Sequence, residues 1–209
     1  MSSPSFRKEM SAKPTFSADM AAGSLLLTES RKISRLLLEG VDPEGWNSAI
    51  IKENILQKRS PASSIRIARL IRNRLTLMTP ELWRIVAESN KDVATQAVLA
   101  ASVKHGRLLA EFMMQVLARH VVRFEQRLSQ TDWRVFLAEC EMIDPSIRSW
   151  STSTREKLRQ IVFRILAESR YIESVRSARI LPVRIHSDVR RYLEEHDEQY
   201  VLTCMEATS

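Results

Sequence analysis

The sequence predicts an all-α protein, a compact multi-helix bundle. Three observations carry that expectation. Glycine is scarce: Gly23, Gly40, Gly45 and Gly106 are the only four in 209 residues, against an average usage near ~7%. Sheet-rich folds need glycine in tight turns, and α/β folds need it in phosphate loops. Apolar residues recur at spacings of three and four, the period of a helix with one buried face. Helix punctuation is also in place, with Pro43, Pro61 and Pro80 at first-turn positions where proline loses no intrahelical bond. The hydrophobic fraction of 44% is normal for a globular chain able to bury a core.

Residues 1–20 are rich in Ser, Pro and Lys without sustained periodicity and read as a mobile arm carrying Arg7, Lys8 and Lys13. Helix one is expected from Ser24 to Glu39, with Gly40 as its C′ residue and Leu26, Ile33 and Leu37 inward. Pro43 opens a second helix to about Leu56, with Trp46, Ile50 and Ile51 inward. Ser60-Pro61 starts a third, to about Met78. On a 100° wheel Ile67, Ala68, Ile71, Leu75 and Met78 share one arc, opposite a ridge of Arg66, Arg69, Arg72 and Asn73. Thr79-Pro80 opens a short helix to Glu88. Residues 91–104 and 107–122 form a helical hairpin broken at His105-Gly106, with Leu108, Leu109, Phe112, Val116 and Leu117 at the centre of the core. Thr131 caps a helix through about Met142, and Ser153-x-x-Glu156 reads as a capping box for a helix to about Ile172. Arg179–Ile185 alternates as a short strand, confined by Pro182 to an edge. Ser187 caps a last helix through Glu195. Helix, turn, helix and short strand in this order fit a winged-helix-like unit. The expected organisation is therefore an arm (1–20), a helical domain (21–130) and a C-terminal helical unit (131–209) packed on it.

Charge is segregated along the chain. From Lys52 to Arg74 there are seven basic residues (Lys52, Lys58, Arg59, Arg66, Arg69, Arg72, Arg74) against one acid, Glu53. From Arg148 to Arg191 there are eleven against four acids. The final segment reverses sign through Glu194, Glu195, Asp197, Glu198 and Glu206. With a net charge of +7, this pattern predicts a surface that attracts polyanions. Arginine suits the task because its planar fork grips phosphate with two bonds. The candidate contacts are Arg59, Arg66, Arg69 and Arg72, then Arg148, Ser151, Ser153, Arg155, Lys157, Arg159 and Arg164. The segment from Arg148 to Arg155 adds hydroxyls at a helix start, whose unpaired N–H groups and dipole favour an anion held by Arg155, Ser151 and Ser153. About five or six phosphate contacts would give a log–log salt slope near ~−5. At 6% aromatic residues, the chain shows no interleaved stacking platform, and duplex backbone contact is favoured over single-strand stacking.

Catalysis finds little support. The four histidines follow no zinc spacing, and neither glycine-rich nucleotide loop is present. Cys140 and Cys204 follow no ligand pattern, which fits a reduced cytoplasmic protein. No metal, cofactor or catalytic residue is expected. No apolar run approaches the ~18–20 residues of a membrane span.

Ser24-Leu-Leu-Leu-Thr-Glu-Ser-Arg31, Glu53-Asn-Ile-Leu-Gln-Lys-Arg-Ser60, Arg72-Asn-Arg-Leu75 and Ser153-Thr-Arg-Glu-Lys-Leu158 resemble, in order, stretches of the BrxA family. The resemblance runs from about residue 23 to 185. It implies an all-helical subunit of BREX phage-exclusion systems, encoded with a methyltransferase, an ATPase and a phosphatase-like partner. The family is likened to NusB, an RNA-binding protein, and is associated with DNA binding. An older label of the family as an inner-membrane protein does not fit the absence of a span here. Residues and resemblance together lead to one expectation: a non-enzymatic accessory subunit that binds double-stranded DNA and other BREX subunits. RNA binding and a protein scaffold stand as alternatives.

Overall fold

A computed structural model describes residues 16–209, and within them helices carry the fold. The chain enters through a 3-10 turn, Asp19–Ala22, and reaches α1 (Leu27–Glu39). Gly40 closes α1 at φ +65°, a left-handed conformation that glycine adopts without a Cβ clash. α2 (Pro43–Asn47) is capped by Asp42, whose carboxylate accepts from the Gly45 amide at 2.7 Å. A π turn, Ser48–Lys52, continues it. Ile50 is buried there, but Ile51 is 40% exposed; the sequence pattern places both inward.

α3 (Pro61–Leu75) starts at Ser60, whose hydroxyl accepts from the Ser63 amide. α4 (Pro80–Glu88) packs along α1. α5 (Lys91–His105) is apolar on nearly every side, as a helix surrounded by others must be. It touches α1, α3 and α4, and α6 (Arg107–Glu111), α10 (Ser187–Glu195) and α11 (Gln199–Met205). A π segment, Phe112–Leu117, joins α6 to α7 (Ala118–Val122). Phe112 lies 5.6 Å from Trp133, 5.2 Å from Phe136 and 6.0 Å from Phe163 between ring centres. This knot ties the hairpin to α8 (Gln130–Ile143) and α9 (Thr152–Glu168).

Several local expectations need correction. The cap of α8 is Ser129, in a reciprocal capping box with Asp132, and not Thr131. The cap of α9 is Ser151, which accepts from the Thr154 amide, and not Ser153. The cap of α10 is His186, which accepts from the Asp188 amide, and not Ser187, and α10 is not the last helix, since α11 follows it. Glu156 instead turns to Arg159. The strand expected over Arg179–Ile185 is absent: the described residues hold only two isolated antiparallel bridges, Arg127 with Arg179 and Ile172 with Ile180. Nor is the segment at an edge. The Ile180 amide donates to Gln126 and the Leu181 amide to Tyr171, so it runs between two neighbours until Pro182 supplies no N–H.

Of the segment read as an arm, Arg7, Lys8 and Lys13 lie outside the described residues. Phe16 and Met20 belong to the core, and the Phe16 amide donates to Asp144 at 2.9 Å. The acidic C-terminus is folded in: Val201, Leu202, Cys204 and Met205 of α11 are buried, and the Tyr171 hydroxyl donates to the Met205 carbonyl.

Candidate nucleic-acid interface

The geometry of α3 follows from its apolar residues. Ile67, Ala68, Leu70, Ile71 and Leu75 turn inward, and a helix has only one remaining side. Arg66, Arg69, Arg72 and Asn73 occupy it, all exposed. Lys52 and Arg59 are exposed in the chain just before α3. Among the described residues none of these five cations has a carboxylate partner. Arg72 lies over the Trp46 ring at 4.7 Å from its centroid, which holds its guanidinium plane in place without neutralising it.

Two cations of the same segment serve the fold. Lys58 pairs with Glu29 of α1. Arg74 is 3% exposed and donates to the carbonyls of Ser24 (2.5 Å) and Gly23 (3.1 Å). Glu168 grips the same turn through the Ser24 hydroxyl and the Leu25 amide, each at 2.9 Å. Burial lowers the Arg74 pKa to about 10, against the opposing pull of Glu168.

The second basic region has a different fate. Arg155 donates to the Trp150 and Ile147 carbonyls at 3.1 and 3.0 Å and pairs with Glu141 of α8. Arg159 is held by Glu156 and stacks against Phe163 at 5.5 Å. That bond keeps the Glu156 carboxyl below its usual range. Arg170, Arg179, Arg190 and Arg191 pair with Asp92, Glu173, Glu206 and Asp188. The Ser151 hydroxyl is 2.9 Å from the hydroxyls of both Ser153 and Thr154. Of the expected phosphate seat, Arg155 is held by the protein's own bonds, while Ser151 and Ser153 are exposed and bonded within the cap. Arg148, Lys157 and Arg164 remain exposed, with no carboxylate partner among the described residues.

Sequence reasoning passed over the cleft beside the ridge. Trp46, Asn47, Ile50, Ile65, Arg69, Arg72 and Asn73 line a space of about 340 Å³ between α2 and α3. The available signal was Asn73 itself, which falls among the arginines on the outward arc.

The described residues hold no group of three or more His, Cys, Asp and Glu side chains able to bind a metal ion. Cys140 and Cys204 are buried, and burial pushes both thiols up to about 12, far from a reactive thiolate.

Fold and surface define the class: an all-helical protein with an outward, unpaired arginine ridge and, among the described residues, no helix long and apolar enough to cross a membrane. Comparison with known proteins carries this further. Residues 14–197 match the BrxA family, and the chain belongs to it. It is 43% identical over 197 residues to the BREX protein BrxA of Paramagnetospirillum magneticum, covering 94% of this chain and 99% of that one. It is 27% identical over 188 residues to the BREX protein BrxA of Escherichia coli, covering 90% and 88%. A crystal structure of an uncharacterized protein from Magnetospirillum magneticum superposes with a TM-score of 0.85 at 42% identity, covering 93% of this chain and all of that one. None of these family names carries an enzyme activity.

Proposed function

We propose that this chain is a non-enzymatic, DNA-binding accessory subunit of a BREX-type phage-defence system. It grips duplex phosphates through the outward face of α3 and the residues before that helix. The observation that carries the reading is the set of five exposed cations, Lys52, Arg59, Arg66, Arg69 and Arg72, none of which is paired with a carboxylate among the described residues. In a protein with 25 acidic residues, an unpaired group of this size is a standing attraction for a polyanion. Each phosphate it neutralises releases condensed counterions, so binding weakens steeply with salt. Five contacts give a log–log slope near ~−4.5 for duplex DNA. Sequence preference is modest, because phosphate contacts position a protein without reading bases.

The test is an anisotropy titration of purified protein with matched duplex DNA and structured RNA over a range of salt. Tighter binding to duplex DNA with a slope near ~−4.5 supports the reading. Tighter RNA binding transfers the ridge to RNA, and no affinity for either removes it. A scaffold role within the defence complex is favoured by one feature of its own. Val122 of α7, Phe124 in the connection after it, and Val135, Met142 and Ile143 of α8 are all exposed apolar residues. Association with other BREX subunits that survives nuclease treatment, without direct nucleic-acid affinity, would favour that role.

A further inference from the structure

The cleft between α2 and α3 contains more than a phosphate requires. Phosphate needs only cations and N–H donors. Here the half-buried Trp46 ring forms one wall. Ile50 is buried and Ile65 is 39% exposed, so the lining has an apolar part. Asn47 and Asn73 are both exposed, and neither carboxamide has a hydrogen-bond partner among the described residues. Arg69 and Arg72 complete the lining, and no carboxylate belongs to it. The volume of about 340 Å³ lies at the lower end of spaces that take a small ligand, roughly 300–1,000 Å³.

Each part selects a chemical feature. The Arg72 guanidinium lies over the Trp46 ring at 4.7 Å, too close to admit a base between them, so a flat aromatic guest would stack on an outer face of the pair. Two free carboxamides match the donor–acceptor edge of a nucleobase, and asparagine pairs well with adenine. Arg69 supplies charge for a phosphate attached to that guest. The π turn Ser48–Lys52 follows Asn47 directly and sets the wall that carries it; such turns recur where a helix is reshaped for binding.

We propose that this cleft receives a single unstacked nucleotide, with the base on an outer face of the Trp46–Arg72 pair, its edge on Asn47 and Asn73, and its phosphate on Arg69. The ridge would then hold a strand by its backbone while the cleft takes one base out of the stack. This rests on the nucleic-acid reading above and adds to it a preference for unpaired or extruded bases. The same chemistry would also accept a free nucleoside monophosphate.

The experiment uses the full chain and three probes: a short perfect duplex, the same duplex with one extrahelical adenine, and AMP. The bulged duplex should bind about tenfold more tightly than the perfect one, the scale of one base stacked on an aromatic ring. Its binding should also quench tryptophan emission. Asn47→Ala/Asn73→Ala should bring the ratio of the two affinities to about one. Trp46→Phe keeps a stacking face, so it should keep the preference and lose the quenching. Saturable AMP binding that disappears in the asparagine variant would identify free nucleotide as a ligand of the same site. A wild-type ratio of one without AMP binding overturns the cleft while duplex binding by the ridge stands. A preference that survives in the asparagine variant also overturns it. No binding to any probe removes both readings together.

Discussion

The two basic regions of this chain differ in how much of their charge the fold neutralises: in the second, six of eleven cations have acidic partners, and among the described residues Arg148, Lys157, Arg164, Arg176 and Arg184 have none. Between Lys52 and Arg74, five of seven cations face water without a carboxylate partner. Between Arg148 and Arg191, Arg155, Arg159, Arg170, Arg179, Arg190 and Arg191 all have acidic partners. The difference comes from elements far away in sequence: Glu141 of α8 reaches Arg155, Asp92 of α5 reaches Arg170, and Glu206 after α11 reaches Arg190. A surplus of arginine along a segment therefore does not establish a positive surface. What matters is whether the fold delivers an acid to each guanidinium, and to α3 it delivers none.

The sharpest internal contrast is Arg74 against Arg72, two residues apart on one helix. Arg74→Met would leave the Gly23 and Ser24 carbonyls without their donor. It should cost about 3 kcal/mol of stability, measured by urea unfolding. Arg155→Ala comes next, at about 1–3 kcal/mol, because it removes the donors to Trp150 and Ile147. Its salt slope for DNA should match the wild type; a flatter slope would put the second region back into the interface. Releasing neutralised arginines is the converse manipulation. Glu156→Gln with Glu173→Gln should free Arg159 and Arg179 and steepen the slope by up to about 2 if the second region can be recruited to phosphate.

The smallest effect is that of acid on the Arg159–Glu156 pair. Its carboxyl is lowered in the folded state, so the contribution is present above pH ~4.5 and is lost as pH falls through the folded value. Both side chains are partly exposed, at 21% and 39%, so screening keeps the contribution below about 1 kcal/mol. Thermal melts of wild type and Glu156→Gln between neutral pH and pH ~3 should converge as the pH falls.

The helix starts at Pro43, Pro61 and Pro80 and the outward ridge of α3 were legible because they depend on local chemistry and a 3.6-residue period. Arg74 was legible in principle: it lies seven residues after Ile67, on the buried arc. It enters the charge count of its segment although the fold buries it, which is rare for arginine. Caps were misplaced by two residues at Ser129 and Ser151, where neighbouring hydroxyls compete for one role. The distant acids that neutralise part of the second region, and the placing of Asn47 and Asn73 on the walls of one cleft, are products of tertiary packing. No periodicity within one segment records them. The ordered motifs that resemble the BrxA family carry mostly architecture. Glu29 and Lys58 pair, Asn54 binds the Lys58 backbone, and Arg74 holds the Ser24 turn.

The central claim is that the unpaired arginines of α3 replace the counterions of a duplex. The most direct measurement is the salt dependence of duplex affinity in the wild type and in Arg66→Ala/Arg69→Ala/Arg72→Ala, with folding checked by circular dichroism. Losing three of five contacts should flatten the slope from about −4.5 to about −1.8 and weaken binding on the order of a hundredfold at ~0.1 M salt. A folded triple variant with unchanged affinity and slope would contradict the account.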